Sequence, residues 1–233
     1  MKKLLFSTVA ILALGAFANA GGGKLIEPPQ VPPMAIDIWS GPYIGLQAGY
    51  IKGDGDTGFY DGSVKYMKVT NKPDGFIGGV YVGYNKLLQD NWLIGIELAA
   101  NYTNVDETAD VYYTNGRPAG HTFNLKQKND FALYAKFGKV IDDTYMPYLL
   151  AGATMTKLEG TLTYKGIKET KSDTVNGFTV GAGLEFKINR NVHARVQYRY
   201  SKYQDAEYKF KYLGDTKTEY NTHSVMAGIS YHF

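Results

Sequence analysis

The sequence predicts an all-β chain folded as an eight-stranded antiparallel up-and-down transmembrane β-barrel, and three observations predict it. Eight segments of about ten residues alternate apolar and polar side chains with the period of two that belongs to strands, and about ten residues cross a bilayer at a tilt of about 45°. The connections between them alternate long and short, a bias that an outer-membrane barrel has and a soluble barrel has no reason for. The aromatic residues of the apolar face sort into two rings, with Val, Leu, Ile and Ala between.

Ahead of the barrel, Lys2 and Lys3 precede the apolar run LLFSTVAILALGAFA, which closes on Ala18-Asn19-Ala20. A charged stretch, an apolar stretch and a small-x-small site in that order make residues 1–20 a cleaved signal peptide, and the run is short for a membrane helix. Residues 21–38, with Pro28-Pro29 and Pro32-Pro33, read as an extended Pro-rich periplasmic leader. Residues 39–233 read as the barrel with four long extracellular loops. The chain has no cysteine, which excludes lipid attachment after the signal and any disulfide. Its net charge is +3, and two of those charges leave with the signal, so nothing points to a nucleic-acid partner.

The first segment, Pro42 to Ile51, sets Ile44, Leu46, Ala48 and Tyr50 on its apolar face; the second, Gly75 to Asn85, sets Phe76, Val80, Val82 and Tyr84. The third, Trp92 to Tyr102, carries Trp92, Ile94, Ile96, Leu98 and Tyr102, with Glu97 on the opposite face. The fourth, Asp130 to Lys139, carries Phe131, Leu133 and Phe137 against Tyr134 and Lys136. The fifth, Pro147 to Lys157, carries Leu149, Ala151, Ala153 and Met155. The sixth, Gly177 to Lys187, carries Phe178, Val180, Leu184 and Phe186 against Glu185 and Lys187. The seventh, HARVQYRYSKY (His193 to Tyr203), sets Ala194, Val196, Tyr198 and Tyr200 against Arg195 and Arg199, and the eighth, His223 to Phe233, carries Val225, Ile229, Tyr231 and Phe233.

Residues 52–74, 103–129, 158–176 and 204–222 form the long connections, and 86–91, 140–146 and 188–191 the short ones. VKYMKV and TLTYKGIKE, inside long connections, alternate as well, so strands can continue there beyond the membrane. With the N-terminus on the periplasmic side, Tyr84, Trp92, Phe186, Tyr231 and Phe233 form the lower girdle, and Tyr50, Phe76, Tyr102, Phe131, Phe178 and Tyr200 the upper one.

Eight strands enclose an interior that side chains fill, so a wide pore is not expected. Glu97, Lys136, Glu185, Arg195 and Arg199 point inward, with Lys187 near the end, and buried charges are costly unless paired. The short turn Asn189 to Asn191 sets Glu185 opposite Arg195, predicting a Glu185–Arg195 salt bridge and a second between Glu97 and Lys136.

The stretches WSGPYIG (Trp39 to Gly45), GGVYVGYN (Gly78 to Asn85), GFTVGAGLEF (Gly177 to Phe186), VQYRY (Val196 to Tyr200) and HSVMAGISYHF resemble the small outer-membrane β-barrel domain family of opacity-like and surface-antigen proteins. The likeness spans about Trp39 to Phe233 and implies residence in the cell outer membrane of a Gram-negative bacterium. It implies contact with outer-membrane lipid and lipopolysaccharide, and loops available to a host or surface ligand. Gly228, Tyr231 and Phe233 resemble the signal read by the outer-membrane assembly machinery, with Met226 where a polar residue is usual. Lys136 stands where the family often has arginine, so no role of a guanidinium fork is carried over.

Catalysis finds no constellation. His223 and Ser224 are neighbours on one strand and point to opposite faces. His193 and His232 point inward at the periplasmic end, and His121 has no fixed acidic partner. Heme or metal binding has only His121 and the loop tyrosines Tyr60, Tyr66, Tyr112, Tyr113, Tyr164 and Tyr220 as candidates, and no cofactor is expected. The expected function is a non-enzymatic structural or surface barrel with loops for adhesion. The alternative is a narrow porin-like channel or a heme- or ligand-binding uptake barrel.

Overall fold

The computed structural model describes residues 38–61, 64–210 and 214–233, so the expected signal peptide and, apart from Ile38, the Pro-rich leader lie outside the described residues. The strands are β1 (Gly41–Asp61), β2 (Val64–Asn71), β3 (Asp74–Leu87), β4 (Trp92–Tyr113), β5 (Pro118–Lys139), β6 (Tyr145–Tyr164), β7 (Ile167–Lys187), β8 (Val192–Tyr203), β9 (Ala206–Phe210) and β10 (Gly214–His232). All pair antiparallel, and β1 pairs with β10 to close the ring. β2 and β3 both pair with β1 and are one barrel strand interrupted at Lys72-Pro73, because proline brings no N–H to the ladder. β8 and β9 both pair with β10 and are broken only at Gln204-Asp205. The ring is therefore eight-stranded, as the alternation predicts.

Stepping across the ladder from Tyr43 through Gly83, Glu97, Tyr134, Gly152, Thr179, Ser201 and Thr222, the register returns to β1 at Gly53, ten residues on. With strands about 4.8 Å apart and a rise of about 3.3 Å per residue, this stagger tilts the strands by about 40° around a backbone cylinder of about 8 Å radius. Each residue then climbs about 2.5 Å along the axis. On that scale Tyr50, Phe76, Tyr102, Phe131, Phe178 and Tyr200 share a level to within about 5 Å, and Tyr84, Trp92, Phe186, Tyr231 and Phe233 lie about 20 Å below. Ile44, Leu46, Ile96, Leu98, Leu133 and Leu149 are exposed on the outer face between the two.

The expectation of four long loops is corrected by the structure, which continues the strands well past the upper ring. β4 and β5 run on to a turn at 114–117, and β6 and β7 to the two-residue turn Lys165-Gly166. Both turn residues have positive φ, 47° and 81°, which matches the turn's twist to that of the strands. Above the upper ring the polarity reverses. Asn104, Asp106, Thr108 and Asp110 face outward on β4, while Phe59, Met67, Val69, Val111, Phe123, Leu125, Leu158 and Leu162 point inward into a buried apolar cluster. On β5 the crossover coincides with a bulge at Lys128 and Asn129, consecutive residues that are both exposed. Thr103 Oγ1 donates to the carbonyls of Gln127 and Lys128 at 2.7 and 3.0 Å, and Thr156 Oγ1 to that of Asn129 at 2.6 Å, so the interrupted ladder keeps its partners.

Candidate functional site

Below the apolar cluster the lumen is occupied by three carboxylates and three cations, all buried: Glu97, Asp130 and Glu185 with Lys136, Arg195 and Arg199. Period two aims each of them inward from β4, β5, β7 or β8, and the narrow cylinder brings opposite walls within side-chain reach. Arg195 grips Glu97 with both guanidinium branches, at 2.6 and 3.0 Å, and donates to Gln47 Oε1 at 2.6 Å. Its guanidinium also lies 3.5 Å above the centre of the Tyr81 ring. Lys136 Nζ reaches Glu185 at 3.2 Å and Glu97 at 3.7 Å, and Tyr43 OH donates to Glu97 at 2.9 Å. Gln47 passes the connection to Asn101 at 2.7 Å, and Asn101 to Asp130 at 2.9 Å. Asp130 accepts from Arg199 at 2.7 Å, Thr154 at 3.0 Å and Tyr203 at 3.2 Å, and Arg199 also donates to Tyr134 OH. One hydrogen-bonded lattice thus runs from Glu185 up to Asp130.

Glu185 does stand opposite Arg195 in register. Their charges nevertheless pair with other partners. Adjacent side chains on a sheet project side by side, whereas Arg195 is long enough to cross the lumen to Glu97, leaving Glu185 to Lys136. The expected Glu185–Arg195 bridge is therefore replaced, and the Glu97–Lys136 contact is the longer of Lys136's two ion pairs. Asp130, the partner of Arg199, was not singled out by sequence, although its even number places it on the same face as Tyr134 and Lys136.

The inward tyrosines lie over inward glycines of the next strand: Tyr43 faces Gly83 and Tyr81 faces Gly45. A Cβ on Gly83 would sit 2.4 Å from Tyr43 Cζ, and one on Gly45 2.2 Å from Tyr81 Cζ. Gly83→Val is expected to displace Tyr43 from Glu97 and to destabilise the barrel by about 1–3 kcal/mol. Gly78→Ala, whose nearest neighbour would be 3.5 Å away, is expected to leave the unfolding midpoint in urea unchanged.

The floor of the lumen, at the end of the short turns, is a stack. Trp39, His193 and His232 follow one another at ring separations of 4.6 and 3.9 Å, and Tyr43 stacks on His232 at 4.9 Å. Trp39 Nε1 donates to Asp143 at 3.0 Å, and Lys187 Nζ to the same carboxylate at 2.6 Å. The Lys187 hydrogen bond, helped by that of Trp39, holds the Asp143 carboxyl below its ordinary value. A lowered folded-state pKa means that this latch is fully formed above the ordinary aspartate value of about 3.9 and is lost as pH falls through the lower folded value. In a Trp92→Phe background, Trp39 emission is expected to hold from neutral pH to about pH 4 and to shift on further acidification. Emission unchanged down to about pH 2 would contradict the latch.

Glu185, His193 and His232 bring one ligand atom each within 4.8 Å of one another, a donor set suited to a divalent ion. Lys136, 3.2 Å from Glu185 Oε2, opposes a second cation there. Of the surface candidates, His121 and Tyr164 come together, stacked at 4.4 Å, without an acidic partner among the described residues. Tyr112 and Tyr113 are exposed at the end of β4. Tyr220, expected in a loop, is buried and donates to Gln127 Oε1 at 2.9 Å. His223 and Ser224 face opposite sides of β10, exposed and buried respectively.

Comparison with known proteins agrees with this architecture. The family model described as outer membrane protein β-barrel domain matches residues 30–233. The 25 kDa outer-membrane immunogenic protein of Brucella abortus is 29% identical, over 100% of this chain and 99% of that protein. The outer membrane protein OprG from Pseudomonas aeruginosa superposes with a TM-score of 0.53 at 14% identity, covering 83% of this chain and 96% of that one. The outer membrane protease OmpT from Escherichia coli does so with a TM-score of 0.54 at 10% identity, covering 83% and 97%. At such identities the two structures share the fold alone.

Proposed function

Because the chain belongs to the outer membrane protein β-barrel domain family and is an outer-membrane protein, we propose that it works as a closed, non-enzymatic surface barrel. In this reading the outward apolar band contacts outer-membrane lipid, and the projecting hairpins present their tips to a host or surface ligand. The single observation that carries the reading is the lattice across the lumen. Ions would have to break buried, mutually satisfied pairs to pass, and those pairs fix the wall that holds the hairpins. The tips supply exposed aromatic and apolar contacts in Tyr112, Tyr113 and Ile167, on a scaffold that keeps them in place. Tyr231 and Phe233, exposed and 5.1 Å apart, together with Gly228 would offer the C-terminal pattern to the assembly machinery.

A planar-bilayer recording tests the closed lumen. The purified chain is expected to give no channel steps, and steps that recur in every preparation would favour the narrow channel instead.

A further inference from the structure

Charge is unevenly matched on the outer surface just above the upper aromatic ring. Toward β4, β5 and β6, Lys126 pairs with Asp106 at 3.0 Å and Lys128 with Glu159 at 2.9 Å. Lys52 on β1, Lys157 on β6 and Lys202 on β8 are exposed at this level and form no ion pair among the described residues. Two of the three are gathered by the register. Lys52 stands opposite the exposed His223, His223 opposite Tyr200, and Lys202 opposite Asn221, two residues from His223.

His223 is itself held against the aromatic ring. Its Nδ1 lies 2.7 Å from Tyr198 OH and its ring 5.0 Å from that of Tyr200. Two exposed carboxylates border the patch on the β1 side, Asp74 opposite Lys52 on β3 and Asp54 opposite Asn221. By the register, Lys52, His223 and Lys202 all lie within about 5 Å of the height of the upper ring. Interfacial tyrosines sit at the level where acyl chains give way to headgroups. The two ammonium groups therefore face the headgroup layer, where a positive side chain gains most from anionic lipid, with the His223 imidazole between them as a hydrogen-bonding group. The Cα atoms of Lys52 and Lys202 are separated by two strand spacings and a two-residue offset, about 12 Å. That separation lets each ammonium take its own phosphate.

We propose that Lys52, His223 and Lys202 form a binding site on the outer wall of the barrel for the two phosphates of one lipid A headgroup in the outer leaflet. The two-phosphate span distinguishes this occupant from phosphatidylglycerol, which carries a single phosphodiester. Tyr198 and Tyr200 fix the imidazole and border the acyl chains below. The inference concerns the outer wall and stands apart from the closed lumen.

The test uses the barrel in zwitterionic bilayers to which diphosphoryl lipid A, dephosphorylated lipid A or phosphatidylglycerol is added, with bound lipid counted by native mass spectrometry. Wild type is expected to retain diphosphoryl lipid A in preference to both other lipids. The K52Q/H223Q/K202Q variant is expected to bind it about tenfold more weakly, and K126Q/K128Q to match wild type. The substituted side chains are exposed, and heat-dependent gel mobility in zwitterionic lipid checks that each variant keeps the wild-type midpoint. Undiminished binding by the triple variant overturns the site, and equal retention of phosphatidylglycerol overturns the lipid A assignment. Channel activity plays no part in the readout, so either failure leaves the closed-lumen reading to its own test.

Discussion

Asp130→Asn is expected to destabilise the barrel by about 3–5 kcal/mol, the range for removing one partner of a buried ion pair. Asp130 is fully buried and accepts from Arg199, Asn101, Thr154 and Tyr203. Asparagine keeps the shape, so the loss falls on the charge. Arg199, itself 1% exposed, would be left with a guanidinium whose carboxylate has gone. The double variant Asp130→Asn with Arg199→Met is therefore expected to be more stable than Asp130→Asn alone. Equilibrium unfolding in urea, with the barrel in lipid vesicles and folding read by gel mobility, measures both. Additivity of the two single effects to within about 0.5 kcal/mol would show that they do not act as a pair.

Phe123→Ala is expected to cost about 3–5 kcal/mol, the range for emptying a buried phenylalanine site, and to act on one end of the molecule. Phe123 and Phe59 are wholly buried and meet edge to face at 6.1 Å in the apolar cluster above the upper ring. Water surrounds this part of the barrel, so the cluster is stabilised by the hydrophobic effect, as a soluble core is. The bilayer-embedded part has lipid outside and the ion lattice inside, and depends little on Phe123. Protease added to intact cells should thus cut the variant between residues 105 and 127 while the membrane-embedded strands stay protected. Wild-type resistance in that segment of the variant would show that the cluster does not hold the hairpins.

The embedded half of the fold was legible because lipid outside and polar lumen inside impose one alternation on every strand. From Trp92 to Tyr102 the even-numbered residues, all apolar or aromatic, face outward, while the odd-numbered face turns inward with Glu97 and Asn101 and also the buried Leu93 and Ala99. Past that point the surroundings become water, and the same alternation carries the opposite meaning. Phe123, Leu125 and Leu158 are inward in the structure, but with polar neighbours in long connections they read as loop, and only VKYMKV and TLTYKGIKE showed the alternation of a continuing strand. The bulge at Lys128 and Asn129 hid the change further by shifting the phase of β5. The lattice residues followed from parity alone, and Glu185 lies opposite Arg195 as the short turn requires. Of the two expected pairs, Glu97 does meet Lys136, at 3.7 Å, but Glu185 and Arg195 take other main partners, because which charges meet depends on tilt and on the reach of each side chain across the lumen, and a strand pattern carries neither.

The barrel is solid throughout, filled by ion pairs within the membrane and by an apolar core beyond it. Amide hydrogen exchange along β4 and β5, with the protein in bilayers, tests this most directly. Protection is predicted to continue from Trp92 past Tyr102 to Val111, and from Lys139 past the Lys128–Asn129 bulge to Phe123. Protection that ends at Tyr102 and Phe131, with rapid exchange throughout residues 105–127, would contradict it.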